Sequence, residues 1–173
     1  MNLHYIYINK VLIILKKKME FLAYLHPIVV HFPVALLVTY SFLEIIGIVF
    51  NRKLFTQSAY ILLIIGIIGV FISVLTGNQA FEDYQYWNKA SSNIFNSHQF
   101  YANITTWFFV FLALIRMFLV VKKKFHGVMK YLFVLFAVVG IFFIYKTAEY
   151  GGELINEFGV GTEYKNEQMQ NNF

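Results

Sequence analysis

The sequence predicts an all-α integral membrane protein, a four-helix bundle built from two helical hairpins. Three observations carry this. Hydrophobic residues make up 59% of the chain. Charged residues make up 13%, about half the ~25% usual in a soluble domain. Lysines and arginines gather in short turns between apolar runs long enough to cross a bilayer, the pattern by which membrane proteins set their orientation.

Residues 1–18 stand apart. An apolar stretch over 5–15 is interrupted by Lys10 and followed by Lys16-Lys17-Lys18. That order reverses a signal peptide, and the stretch is too short to span. Two readings are open: a start mis-assigned ahead of Met19, or an interfacial amphipathic helix. The membrane domain is expected over 19–162, with a disordered polar tail over 163–173.

Span one is expected over 27–50. The two prolines of the chain, Pro27 and Pro33, lie in its opening, Leu25-His26-Pro27-Ile28-Val29-Val30-His31-Phe32-Pro33. Pro27 suits a first helical turn, and Pro33 is expected to bend the helix beyond it. Span two is expected over 58–76, with Gly66 and Gly69 permitting close helix approach and Thr76-Gly77-Asn78 as a stop signal. The connection over 78–97 is read as a long extracytoplasmic loop that contains an interfacial helix or covers a site. Its Tyr84, Tyr86 and Trp87 read first as an interfacial aromatic belt, and second as the floor of a cofactor or quinone site. Span three is expected over 100–121 and span four over 128–147. Gly151-Gly152 then reads as a helix cap, and Gly159-Val160-Gly161 as a tight return that folds the tail over the site.

Arg52, Lys53, Lys122, Lys123, Lys124 and Lys130 fall on one side of the bundle. The positive-inside rule assigns that side to the cytoplasm and both termini to the periplasm or exterior. The positive charge follows the membrane topology, so nucleic acid is not an expected partner; the lipid bilayer is. The chain has no cysteine, which excludes disulfides, thiolate metal sites, iron–sulfur clusters and covalently attached haem. No nucleotide fingerprint or nucleophile motif is present, and the chain is not read as an enzyme.

A helix rises about 1.5 Å per residue, so depth can be counted from the basic turns. The count puts His26 level with His98, and His31 level with Glu149, with Lys146 just below. Polar residues at such depth are functional candidates. The candidate cofactor-binding residues are therefore His26, His31 and His98, with Lys146, Glu149, Gly151 and Gly152 in support. Histidines facing one another from two helices are the means of holding a b-type haem without cysteine. The preferred reading is an electron-transfer subunit with haem b held by His98 and one of His26 or His31. One alternative is a direct copper, zinc or iron site on the three histidines. Another is a structural or assembly subunit whose histidines only cap helices. His4 and His126 are set aside. Glu44 and Arg116 are read as a structural pair between spans one and three, or as side chains snorkelling to the interface.

Leu25-His26-Pro27, Val30-His31-Phe32-Pro33, Thr76-Gly77, His98, Gly151-Gly152-Glu153-Leu154 and Gly159-Val160-Gly161 together form a pattern. It resembles the bacterial membrane proteins grouped as domain of unknown function 2231, over about 21–162. The resemblance implies a four-span bacterial inner-membrane domain. Its members sometimes accompany or are fused to cytochrome-like domains, which makes a periplasmic or membrane cytochrome the expected partner. It implies no assigned reaction. His26, His31, His98 and the Gly151-Gly152-Glu153 turn match motif positions of that family.

Overall fold

The computed structural model describes residues 3–162, so the expected tail over 163–173 lies outside the described residues. Five helices follow one another: α1 (Leu3–Val29), α2 (His31–Val49), α3 (Lys53–Asp83), α4 (Lys89–Val121) and α5 (Val128–Phe158). Among the described residues there is no strand. α1 and α2 form one broken rod, so the five helices make four apolar spans: Lys10–Val49, Lys53–Asp83, Lys89–Val121 and Val128–Phe158.

The break between α1 and α2 falls at Val30, three residues before Pro33. Pro33 has no N–H to offer the carbonyl of Val29, so the helical ladder cannot pass that point unbroken. The prolines exchange the roles the sequence suggested. Pro33 occupies the first turn of α2, where its missing donor costs nothing, whereas Pro27 lies inside α1. Pro27 leaves the carbonyl of Ala23 without its usual helical donor. The C-terminal turn comes up against that spot: a Cβ at Gly161 would stand 3.3 Å from Pro27 Cγ and 3.4 Å from Ala23 O. Residues 3–18 continue without a break into the rest of α1.

α3 packs along the broken rod, and α4 pairs with α5; α2 against α5 and α3 against α4 join the two halves. The seam inside α3 is made by glycines. A Cβ at Gly66 would meet Leu37 Cδ2 at 2.7 Å, and one at Gly69 would meet Pro33 Cβ at 3.1 Å. Lipid offers no hydrophobic drive between helices, so such close backbone approach, with its dispersion contacts, is what holds α3 to the rod. The core centres on Leu37, Tyr40, Leu63, Phe109 and Phe133, each no more than 1% exposed.

The connection expected over 78–97 is irregular only at residues 84–88, because α3 and α4 extend beyond the apolar runs. Asn88 and Ser91 form a reciprocal cap at the start of α4, each side chain accepting the other's backbone N–H at 2.9 Å. The aromatic residues of this region pack on one another. Phe81 stacks on Phe95 with centroids 4.3 Å apart, and Trp87 stands edge-on to Tyr84 at 4.8 Å. Tyr84, Leu154 and Val160 bury together beneath them, so the connection is clamped to the end of α5 as a lid.

The tie that fixes this lid is the Tyr84 hydroxyl, which donates to the Phe158 carbonyl at 3.0 Å. Burial, and secondarily the neighbouring Tyr86, push the Tyr84 phenol above its ordinary value of 10.0. The folded state thus favours the neutral phenol. The stabilisation is fully present below pH ~10 and is lost as pH rises from there through the raised folded-state value. Tyr84→Phe is expected to cost about 0.5–1.5 kcal/mol. It should speed protease cleavage after α5 at neutral pH and remove the further loosening expected of the parent protein at alkaline pH. An unchanged cleavage rate in the variant would show that the lid does not depend on this bond.

Candidate functional site

Two histidines occupy equivalent sockets, one in each half of the molecule. His26 on α1 lies against Gly77 on α3; a Cβ at Gly77 would stand 2.9 Å from His26 Cε1. His98 on α4 lies against Gly151 on α5; a Cβ there would stand 3.0 Å from His98 Cε1. In both cases the first helix of a pair supplies the ring and the second supplies a bare backbone for it to rest on. Each socket also holds the ring by Nδ1. His98 Nδ1 is 3.0 Å from the Thr147 carbonyl, and His26 Nδ1 is 3.1 Å from Thr76 Oγ1.

At His98 the partner fixes the tautomer. A carbonyl only accepts, so His98 carries its proton on Nδ1. The Thr76 hydroxyl also lies 3.1 Å from the carbonyls of both Ile72 and Ser73, and at His26 either partner can be the donor. In the neutral imidazole the Nε2 of His98 then keeps its lone pair, the state in which a histidine ligates metal. His26 and His98 are near enough for the charge of one to act on the other. Around His98, α4 and α5 are cross-linked by Thr105 Oγ1 to Thr147 Oγ1 at 2.9 Å and by stacking of Tyr101 on Tyr150.

The remaining candidates part from this pair. His31 is exposed and donates from Nδ1 to the Pro27 carbonyl, 2.6 Å away. Among the described residues no group of three or more His, Cys, Asp or Glu side chains is disposed to hold a metal ion, so the three histidines do not form one direct ligand set. Lys146 and Glu149 pair with each other along the surface of α5. Gly152 has no neighbouring atom within 4 Å of where a Cβ would stand.

Gly77 and Gly151 correct the sequence reading in the same way. Each was expected to end a helix, yet α3 runs on to Asp83 and α5 to Phe158. The cap of α5 is Gly159, at φ 72°, whose N–H returns to Ile155 O at 3.0 Å while Val160 N–H reaches Leu154 O at 3.1 Å. Glycine inside a helix costs up to ~1 kcal/mol relative to alanine, so it is kept where a neighbour needs the room. Here the neighbour is an imidazole ring. Sequence reasoning assigned no role to Thr147 or Thr105; only their spacing from His98 across one hairpin could have marked them.

Glu44 and Arg116 pair as one of the two expected alternatives had it, across α2 and α4. Arg116 Nη2 lies 3.3 and 3.4 Å from the two carboxylate oxygens and donates to Thr56 O at 3.4 Å. Neither side chain snorkels: Glu44 is 0% exposed and Arg116 3%. The guanidinium lies over the Phe125 ring, 3.0 Å from its centroid.

No curated protein and no solved structure matches the chain. A family model described as predicted membrane protein (DUF2231) matches residues 23–164. That stretch takes in both sockets, the buried ion pair and the C-terminal turn, and the chain belongs to this family of membrane proteins.

Proposed function

We propose that the protein is a membrane electron-transfer subunit that holds a b-type haem through His26 and His98. The observation that carries the reading is the pair of equivalent sockets, each holding an imidazole by Nδ1 against a glycine of the neighbouring helix. Two imidazole nitrogens, here one from α1 and one from α4, are the donor set that haem iron takes without cysteine. The haem would supply one-electron redox chemistry. The chain's own residues do the rest. Thr76 and the Thr147 carbonyl hold the ring orientation, Gly77 and Gly151 set how close each ring lies to its partner helix, and the aromatic lid keeps water from that end of the bundle.

The basic turns at Arg52–Lys53 and Lys122–Lys124 support an orientation with this end facing the periplasm of a bacterial inner membrane and the turns in the cytoplasm. The partner would then be a cytochrome reached from the periplasm or within the membrane.

The test is a reduced-minus-oxidised visible spectrum of protein expressed with a haem supply and purified in detergent. A Soret band with sharp reduced bands is expected in the parent and in His31→Ala, and should be lost in His98→Ala and in His26→Ala. A protein that stays colourless after reconstitution with hemin, or a spectrum indifferent to both socket variants, would overturn the proposal.

A further inference from the structure

The opposite end of the bundle holds a second polar site. Tyr40, Glu44 and Arg116 are 0%, 0% and 3% exposed, yet four of their polar atoms have no hydrogen-bond partner: Tyr40 Oη, Glu44 Oε1, and Arg116 Nε and Nη1. Tyr40 and Glu44 stand one turn apart on α2 and so share a face, and the charges of Glu44 and Arg116 both act on Tyr40. Counted from Asn51, Glu44 lies about 10 Å inside the bundle. Bulk water does not reach these atoms, and in a buried setting each unmade bond costs about 1–3 kcal/mol, more for a charged group.

The unmet atoms identify what they lack. Glu44 Oε1 only accepts, Arg116 Nε and Nη1 only donate, and the Tyr40 hydroxyl does both. An anion could accept from Arg116 but could give nothing to Glu44; a cation fails in the reverse way. The ion pair is already neutral, so either ion would also leave a net charge in a low-dielectric interior. A small neutral molecule that donates and accepts at once satisfies the whole set, and water is that molecule, making ~3 bonds in a typical buried site. We propose that Tyr40, Glu44 and Arg116 form a binding site for internal water in the half of the bundle nearest the basic turns. This site is independent of the histidine sockets and of whatever they hold.

Hydroxyl-radical footprinting by X-ray radiolysis tests this in the intact protein, reconstituted in lipid nanodiscs. Radicals arise from water, so a fully buried ring is oxidised only where water is held beside it. Tyr40, Phe109 and Phe133 are all no more than 1% exposed, and Phe109 packs edge-on against Tyr40 itself. The expected result is a one-oxygen adduct on Tyr40, with Phe109 silent. In the double variant Glu44→Leu/Arg116→Met, which removes both charges and keeps the volume apolar, the Tyr40 adduct should be lost. Tyr40 as silent as Phe109 in the parent protein would overturn the proposal. So would a Tyr40 adduct that persists undiminished in the double variant, since the ring would then be reached without the ion pair's help.

Discussion

Arg116→Met is expected to lower stability by about 3–5 kcal/mol, the largest loss of any single change outside the hydrophobic core. The reason is what the substitution leaves behind. Glu44 is fully buried on α2, and its cation comes from α4, on the far side of the interface between the two halves. Without the guanidinium, the carboxylate must sit uncompensated in an apolar interior, or take a proton and still lack partners. The same variant removes the donor to Thr56 O at the start of α3 and the cation stacked on Phe125 in the turn before α5. One side chain thus ties three other segments of the chain to α4, and its loss loosens both halves together. Glu44→Leu/Arg116→Met is expected to recover most of the loss, because replacing both members of a buried pair by apolar groups of similar volume is close to neutral. Denaturant titrations in detergent, followed by far-UV circular dichroism, measure both. A single variant as stable as the parent, or a double variant no better than the single, would show that the pair does not bear on stability.

The legible parts of this molecule are those that local rules of the bilayer determine. Apolar length gives the four spans. Depth counted along each helix brings His26 level with His98, and each ring is held by Nδ1 against a glycine of the neighbouring helix. The same counting placed Glu44 opposite Arg116, because both lie a similar distance from a basic turn. What depth cannot supply is azimuth. His31 has the right depth and the wrong face: it is turned outward one turn along the rod, with its Nδ1 spent on Pro27 O. Lys146 and Glu149 share the level of the site but lie on the outer surface of α5, where they satisfy each other.

Glycine is the other ambiguity. Thr76-Gly77-Asn78 and Gly151-Gly152 carry the local chemistry of helix ends, and Gly159 carries the same chemistry. Only Gly159 ends a helix, at positive φ. A glycine that terminates and a glycine that makes room are alike in sequence, since both answer to the missing Cβ. The distinction rests on whether another helix brings a side chain there, which is a tertiary fact. The prolines behave similarly: Pro27 and Pro33 each satisfy a helix-start rule, and the packing of the C-terminal turn onto Pro27 goes with the break falling at Val30 instead.

The adjacent glycines of α5 turn this distinction into an experiment. Both are helical, so alanine at either gains about 0.4–1 kcal/mol from the smaller entropy of the unfolded chain and the better helix former. At Gly152 nothing opposes that gain, and Gly152→Ala is expected to raise stability by this amount. At Gly151 the new methyl would stand 3.0 Å from His98 Cε1 and 3.2 Å from Nδ1. The ring cannot retreat and keep its 3.0 Å bond to Thr147 O, so one must yield. Overpacking of this kind costs about 1–3 kcal/mol, which outweighs the helical gain and makes Gly151→Ala a net loss. The imidazole nitrogen resonances of His98 should shift in Gly151→Ala and stay in place in Gly152→Ala. By the same geometry Gly77→Ala should displace His26, whose Cε1 lies 2.9 Å from the new methyl, while His98 keeps its position. If Gly151→Ala instead stabilised the protein and left the His98 resonances unmoved, the sockets would not be what fixes the two rings. The haem proposal would then lose its geometric basis even if a coloured protein were obtained.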